Sequence, residues 1–227
     1  MKGFVREVFS SLQGEGIYVG QKTFFIRFSG CNLRCAYCDT PEARTSEGPF
    51  LYRGHSAANP IDVDFLTEQV EGNNVCVTGG EPLMQVEFLE ALCGRLCGAG
   101  RALYLETNGS LPEALKRVVA HFRVISLDFK IPSATGQKEL WSEHERSLSI
   151  ASDRDVFVKI VIDENVRMDE LVTACTIIGR VDRAIPLVIQ PVFGSRVHNI
   201  LELQDAALRI IDDVRVIPQV HKYLFVR

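Results

Sequence analysis

From residue 61 the chain alternates between two patterns. Short apolar runs rich in β-branched residues read as buried strands, and stretches with apolar residues every three or four positions read as helices with one buried face. The runs predict strands at 74–78, 102–106, 124–128, 156–162, 186–190 and 214–220. Between them the spacing predicts helices at 62–71, 83–97, 112–122, 143–151, 168–179 and 201–212. Gly98 follows the second helix and Pro112 opens the third, in keeping with the preferences of helix ends and starts. One earlier apolar run, 23–28, predicts a further strand with Arg27 inside it, and a cation buried there needs a partner acid or an anionic ligand. Residues 7–16 hold two glycines around an acid and predict a turn with exposed backbone, open to close approach by a ligand. Residues 41–60 are polar and aperiodic and predict an irregular insertion or lid over a site.

Strands alternating with helices imply right-handed βαβ units and a parallel sheet. There are about six such units, short of the eight that close a barrel. The predicted architecture is α/β, an incomplete, open (β/α)6-type barrel in a single domain over 1–227. The segments 31–40, 78–82, 106–108, 128–130 and 190–191 all fall just after the C-terminal end of a predicted strand. That edge is where parallel α/β folds bind ligands and carry out chemistry, so the pattern points to an enzyme.

Composition narrows the partners. The 227 residues are 46% hydrophobic, enough to bury one full core, and the net charge of −4 gives no basic surface for nucleic acid. The N-terminus is too short and too charged for a signal peptide, and no stretch approaches the roughly 20 apolar residues of a membrane span. A cytoplasmic protein with no membrane partner is expected. Seven cysteines are an odd number, which argues against a disulfide framework in such a chain. Cys76 lies within an apolar strand run. Cys93 and Cys97 are four apart on a helical pattern with no nearby ligand to complete a site, and Cys175 sits among apolar residues, so all four read as core.

The other three share one loop, CNLRCAYCDT at 31–40. Cys31, Cys35 and Cys38 must converge on one centre. A closed zinc site wants a fourth ligand, for which His55 is a candidate; a 4Fe–4S cluster held by three thiolates keeps one iron open for a substrate or cofactor. This spacing, with Tyr37 before the third cysteine, resembles the cluster motif of the radical S-adenosylmethionine (SAM) superfamily. About 40 residues on, TGGEP at 78–82 resembles that superfamily's motif for the amino group of SAM. The resemblance narrows further. LQGEG at 12–16, Arg27, the CDT end of the cysteine loop and the tail QVHKYL at 219–224 together look like the 7-carboxy-7-deazaguanine synthase family. The match runs over nearly the whole chain.

By that resemblance, the activity would be conversion of 6-carboxy-5,6,7,8-tetrahydropterin to 7-carboxy-7-deazaguanine with loss of ammonia, on the route to queuosine or archaeosine in tRNA. SAM would act as a catalyst and not be consumed. The family pattern implies site residues as well. Cys31, Cys35 and Cys38 would hold the 4Fe–4S cluster and form the catalytic centre, and Thr40 would ligate Mg2+. Tyr37, Cys38, Asp39, Gly80, Glu81, Asp128, Lys130 and Gln190 would line the SAM side. Leu12, Gln13, Gly14, Glu15, Arg27, Thr78, Asn108 and His221 would meet the pterin, with Arg27 taking its carboxylate. Glu15 and Glu106 could serve either ligand, Asn108 could equally stabilise its Asn-Gly turn, and a histidine so near the terminus is more often structural. A flavodoxin- or ferredoxin-type one-electron donor and a homodimer are also implied. The chain departs from many relatives at 128–130, where DFK replaces SPK. The alternatives are a glycyl-radical-enzyme activase, which shares the cysteine spacing, and a zinc-binding structural module.

Overall fold

A computed structural model describes residues 1–226. Its centre is a ten-stranded sheet. In chain order the strands are β1 (Val5–Leu12), β2 (Lys22–Phe28), β3 (Phe50–Tyr52), β4 (His55–Ala57), β5 (Asn74–Gly79), β6 (Ala102–Thr107), β7 (Val124–Asp128), β8 (Asp155–Ile162), β9 (Leu187–Pro191) and β10 (Val214–Val216). Spatially they run β10-β9-β8-β7-β6-β5-β2-β1-β3-β4, and the two ends do not pair. From β2 through β10 every neighbour is parallel. Each of those crossovers carries a helix: α1 (Val63–Glu68), α2 (Val86–Gly98), α3 (Pro112–Val118), α4 (Trp141–Ala151), α5 (Met168–Val181) and α6 (Ile200–Leu208). Successive helices touch one another and form an outer layer. The result is six βα units and a last strand, an open (β/α)6-type barrel.

The period of two along each strand sorts the residues between the barrel's two faces. Val75, Val77, Leu103, Leu105, Ile125, Leu127, Val158, Ile160, Leu187 and Ile189 belong to the large core under the helices. The alternate positions Phe25, Cys76, Tyr104, Val124, Phe157 and Val188 form a smaller apolar cluster on the inner face. Helix α2 buries Phe88, Leu89, Leu92, Cys93 and Leu96, the stripe its spacing predicts. Cys76, Cys93 and Cys175 are buried as expected, whereas Cys97 is exposed at the helix surface.

Three expectations are corrected. The segment 7–16 is mostly strand: β1 pairs antiparallel with β2 and only the glycine loop after Leu12 turns. Within 41–60, a 3-10 turn at Pro41–Arg44 leads to the hairpin β3–β4, and β3 extends the sheet by pairing parallel with β1. Strand β3 has only three residues, too few for periodicity to show. The last strand is also shorter than predicted, because the chain leaves the sheet after Val216 and forms the short helix α7 (Val220–Tyr223). Among the described residues no helix is long and apolar enough to cross a membrane.

Candidate active site

One cavity opens at the C-terminal edge of the parallel strands. Its floor is set by the same period of two. Two residues beyond each inner-face apolar side chain stands a polar one: Arg27 after Phe25, Thr78 after Cys76, Glu106 after Tyr104, Ser126 and Asp128 after Val124, Lys159 after Phe157, and Gln190 after Val188. All of these line the cavity. The strands are therefore apolar at one end of the inner face and polar at the other, which a hydrophobic count over the whole run conceals.

Cys31, Cys35 and Cys38 line the same cavity. Burial pushes the Cys31 and Cys35 thiols up, so ligation there must release protons. Arg44 pins their loop by donating from Nη2 to the Cys35 carbonyl at 2.7 Å. Among the described residues no group of three His, Cys, Asp or Glu side chains is placed to hold a metal ion. His55, the fourth ligand of the zinc alternative, is exposed on β4 and does not line the cavity.

Around the thiols the walls are charged. Arg27 is held by Glu7, with Nε 3.0 Å from Oε1, and its guanidinium lies 5.7 Å from the centre of the Phe9 ring. Glu106 accepts from Gln13 at 3.0 Å and from the Thr78 hydroxyl at 2.7 Å. Asp128 pairs with Lys130 at 2.7 Å and with Lys159 at 3.3 Å, and Lys130 donates to the Tyr37 hydroxyl at 3.2 Å. Burial alone would raise the Glu15 carboxyl. The charge of Lys159 and hydrogen bonds from Lys159, Gln219 and Gln190 outweigh it and hold the group well below the usual carboxylate range. Burial works against the Lys159 ammonium in the same way, and Glu15, Asp128 and Glu106 outweigh it and raise that group. Thr40 donates to Asp39 at 3.2 Å, beside the last cysteine.

Among the described residues, two buried oxygens at this edge have no hydrogen-bond partner, Asp128 Oδ1 and Gln190 Oε1. A buried acceptor left unpaired is costly, so both suit the hydroxyl and amine donors of a nucleoside-like cofactor such as SAM. Gly80 also lines the cavity, and the protein's own packing requires a glycine there, since a Cβ would lie 2.1 Å from the Gly30 carbonyl oxygen. With three thiols next to it, this donor and acceptor set fits a 4Fe–4S cluster and SAM.

The expected site residues are brought together with one exception. Leu12, Gln13, Gly14, Glu15, Arg27, Tyr37, Asp39, Thr40, Thr78, Gly80, Glu106, Asn108, Asp128, Lys130, Gln190 and His221 all line the cavity with the three cysteines. Glu81 does not. It is fully buried and accepts from Leu83 N at 3.0 Å, Thr107 Oγ1 at 2.8 Å and Asn108 N at 2.7 Å. It caps the turn that opens the α2 segment and fastens β5 to the end of β6, so its carboxylate is not offered to a cofactor. Asn108 reaches the cavity, but its side-chain amide donates to Asn32 Oδ1 at 3.0 Å and its Oδ1 accepts from Ser110 N at 3.0 Å, the turn role its sequence context also allowed. His221 arrives from the tail and packs on Gly14, where a Cβ would sit 2.2 Å from its Nδ1.

Sequence reasoning passed over Lys159, Gln219, Arg44, Ser126 and Lys222. Lys159 had a legible signal: a lone cation inside the apolar run VFVKIVI, the same feature that drew attention to Arg27. Gln219 and Lys222 stand in the QVHKYL tail that carried the resemblance, but their partners were not legible, because Gln219 meets the cavity and Lys222 comes within 3.1 Å of Asp39 only when the tail folds back.

Comparison with known proteins agrees with this geometry. Residues 25–165 match the radical SAM superfamily. A 7-carboxy-7-deazaguanine synthase of Geobacter sulfurreducens is 39% identical over 97% of this chain and 96% of its own length. One of Archaeoglobus fulgidus is 37% identical over 100% of both chains. The crystal structure of QueE from Escherichia coli aligns with a TM-score of 0.62, covering 97% of this chain and 95% of its own at 20% identity, a likeness of fold.

Proposed function

The chain belongs to the 7-carboxy-7-deazaguanine synthases of the radical SAM superfamily, and from that premise we propose how its own residues divide the work. It is a radical SAM enzyme and a lyase that forms 7-carboxy-7-deazaguanine from 6-carboxy-5,6,7,8-tetrahydropterin with loss of ammonia. That membership removes the activase and zinc-module alternatives. The observation that carries the division of roles is the shared cavity. Three thiols, a guanidinium, and the side chains of Asp128 and Gln190, each with a buried oxygen unpaired among the described residues, line one space.

Cys31, Cys35 and Cys38 would hold the cluster. Bound there, the cluster and SAM supply one-electron reduction and hydrogen abstraction, which no protein side chain provides. Gly80, Asp128 and Gln190 form the SAM edge, with the Asp128 carboxylate and the Gln190 amide offering acceptors. Tyr37 and Asp39 flank the third cysteine on that edge. The pterin side is built from Leu12 to Glu15, Arg27, Thr78, Glu106 and His221. Arg27 binds the substrate carboxylate, since a permanently charged planar guanidinium suits bidentate contact and Glu7 fixes its orientation through Nε. Glu106, already oriented by Gln13 and Thr78, accepts ring N–H donors. Thr40 with Asp39 beside it is the place for Mg2+. One hydroxyl is a weak ligand for a hard cation, so substrate oxygens and water complete the shell.

The enzyme needs an electron donor. We assign that donor to the flavodoxin or ferredoxin class, the enzyme to a homodimer, and the whole chain to one catalytic domain, all on the family resemblance. The deciding experiment is anaerobic: reduced, cluster-loaded protein receives SAM, Mg2+ and 6-carboxytetrahydropterin, and products are followed by mass spectrometry. The expected result is 7-carboxy-7-deazaguanine without stoichiometric 5′-deoxyadenosine. Cleavage of SAM with the pterin untouched would leave the superfamily in place and remove the substrate.

A further inference from the structure

Lys159 has no part in the division of roles above, yet it occupies the middle of the cavity floor. Its side chain is only 9% exposed, between the fully buried Val158 and Ile160 on β8. A buried ammonium is unfavourable unless carboxylates compensate it. Two do, from different segments. Asp128 stands directly across the ladder from Lys159 in the β7–β8 register, 3.3 Å from Nζ. Glu15 reaches it from the glycine loop after β1, at 2.5 Å.

From these two acids the contacts continue in opposite directions. Asp128 meets Lys130 at 2.7 Å, and Lys130 donates to Tyr37 at 3.2 Å. Glu15 accepts from the Gln219 amide at 2.9 Å, and the same amide donates to Asp39 at 3.1 Å. Tyr37 and Asp39 are the residues on either side of Cys38. The contacts therefore form a ring that begins and ends at one cluster ligand, and Lys159 is the group that joins its two halves.

We propose that Lys159 is a positioning residue that couples SAM binding to pterin binding. The inference rests on the reading that places Asp128 on the SAM side and Glu15 on the pterin side. Both ammonium groups contact Asp128 through Oδ2, and the Asp128 side chain, 14% exposed, lines the cavity where a ligand's donor can meet its carboxylate. A donor bound by the Asp128 carboxylate fixes it, and through Lys159 it fixes Glu15. The second ligand then meets a carboxylate that is already ordered, and less freedom is lost when it binds. Linkage makes the effect reciprocal. A lysine that merely supported the fold would change both affinities and leave their mutual dependence unaltered.

The test uses cluster-loaded enzyme under anaerobic, unreduced conditions, so that nothing turns over. The dissociation constant of SAM is measured with and without saturating 6-carboxytetrahydropterin, in wild type, Lys159→Met and Lys159→Arg. In wild type the pterin should tighten SAM about 5-fold or more, a typical coupling between sites. Lys159→Met should bring that factor close to one, and Lys159→Arg should restore part of it. If Lys159→Met does not retain its cluster, the double variant Lys159→Met/Glu15→Gln removes the buried acid left behind and should show the same loss. A wild-type factor of one, or a Lys159→Met enzyme with the wild-type factor, overturns the inference. Wild type that binds SAM but not the pterin removes the substrate reading, and the inference with it; a direct pterin titration identifies that case.

Discussion

His144 lies fully buried behind the cavity wall, stacked on Phe129 with ring centroids 4.4 Å apart. Its Nε2 lies 3.2 Å from the Asn108 carbonyl, and as the Nε2–H tautomer it donates to that oxygen and holds the cavity rim from beneath. Burial lowers the imidazole from 6.5 to about 4. The unfolded chain therefore binds a proton that the folded chain refuses between those values. Stability from this group is complete above pH 6.5 and is lost as pH falls toward 4, by at most about 3 kcal/mol. A His144→Gln variant lacks the titration. The difference in unfolding free energy between wild type and variant, from urea melts of the cluster-free chain, should therefore narrow between pH 7 and pH 4. A constant difference would contradict the assignment. The neighbouring departure from the common SPK sequence has a reason on the same scale. Phe129 supplies the ring that stacks on His144, and Asp128 supplies the negative charge that two lysines share.

Among the elements, the strands carry two cores at once and the helices carry one. Inner-face positions change from apolar to polar at the cavity floor, while positions under the helices stay apolar along most of each strand, Thr107 at the end of β6 being polar. This explains why period and run length identified β5 to β9 readily. It also explains the failure at β1, where GEG and the mixed residues before it hid an antiparallel strand whose partner, β2, begins ten residues after it ends. Removing apolar volume beneath a helix should be felt fully. Leu92 is 0% exposed on α2, and Leu92→Ala should cost about 2–5 kcal/mol. Leu201→Ala, at a position 70% exposed on α6, should stay within about 0.5 kcal/mol. Denaturant midpoints at constant slope distinguish these outcomes, and an equal loss at both positions would count against the layer assignment.

At the scale of the whole molecule the site is closed by segments far apart in sequence. The tail returns to the first loop, where Val220 N donates to the Gly14 carbonyl at 2.9 Å and Gln219 holds Glu15. Deleting residues 219–227 should weaken the pterin by about tenfold or more, the scale of lost hydrogen bonds to a charged group, while the cluster spectrum stays as in wild type. Unchanged pterin affinity would show that the tail closes nothing. The cysteine loop, the TGGEP turn and the strand–helix rhythm were legible in the sequence because each is set by residues within a few positions of one another. So were most cavity residues, since a motif at a strand's C-terminal end has one place to go in a parallel sheet. Only the tertiary structure turned Glu81 inward to three protein donors and committed Asn108 to its turn. It alone set Lys159 against Glu15, 144 positions away, and Gln219 against Glu15, 204 positions away. Local periodicity specifies which face a side chain takes; it carries no information on which distant charge will meet it there, and at this site those distant charges decide the electrostatics.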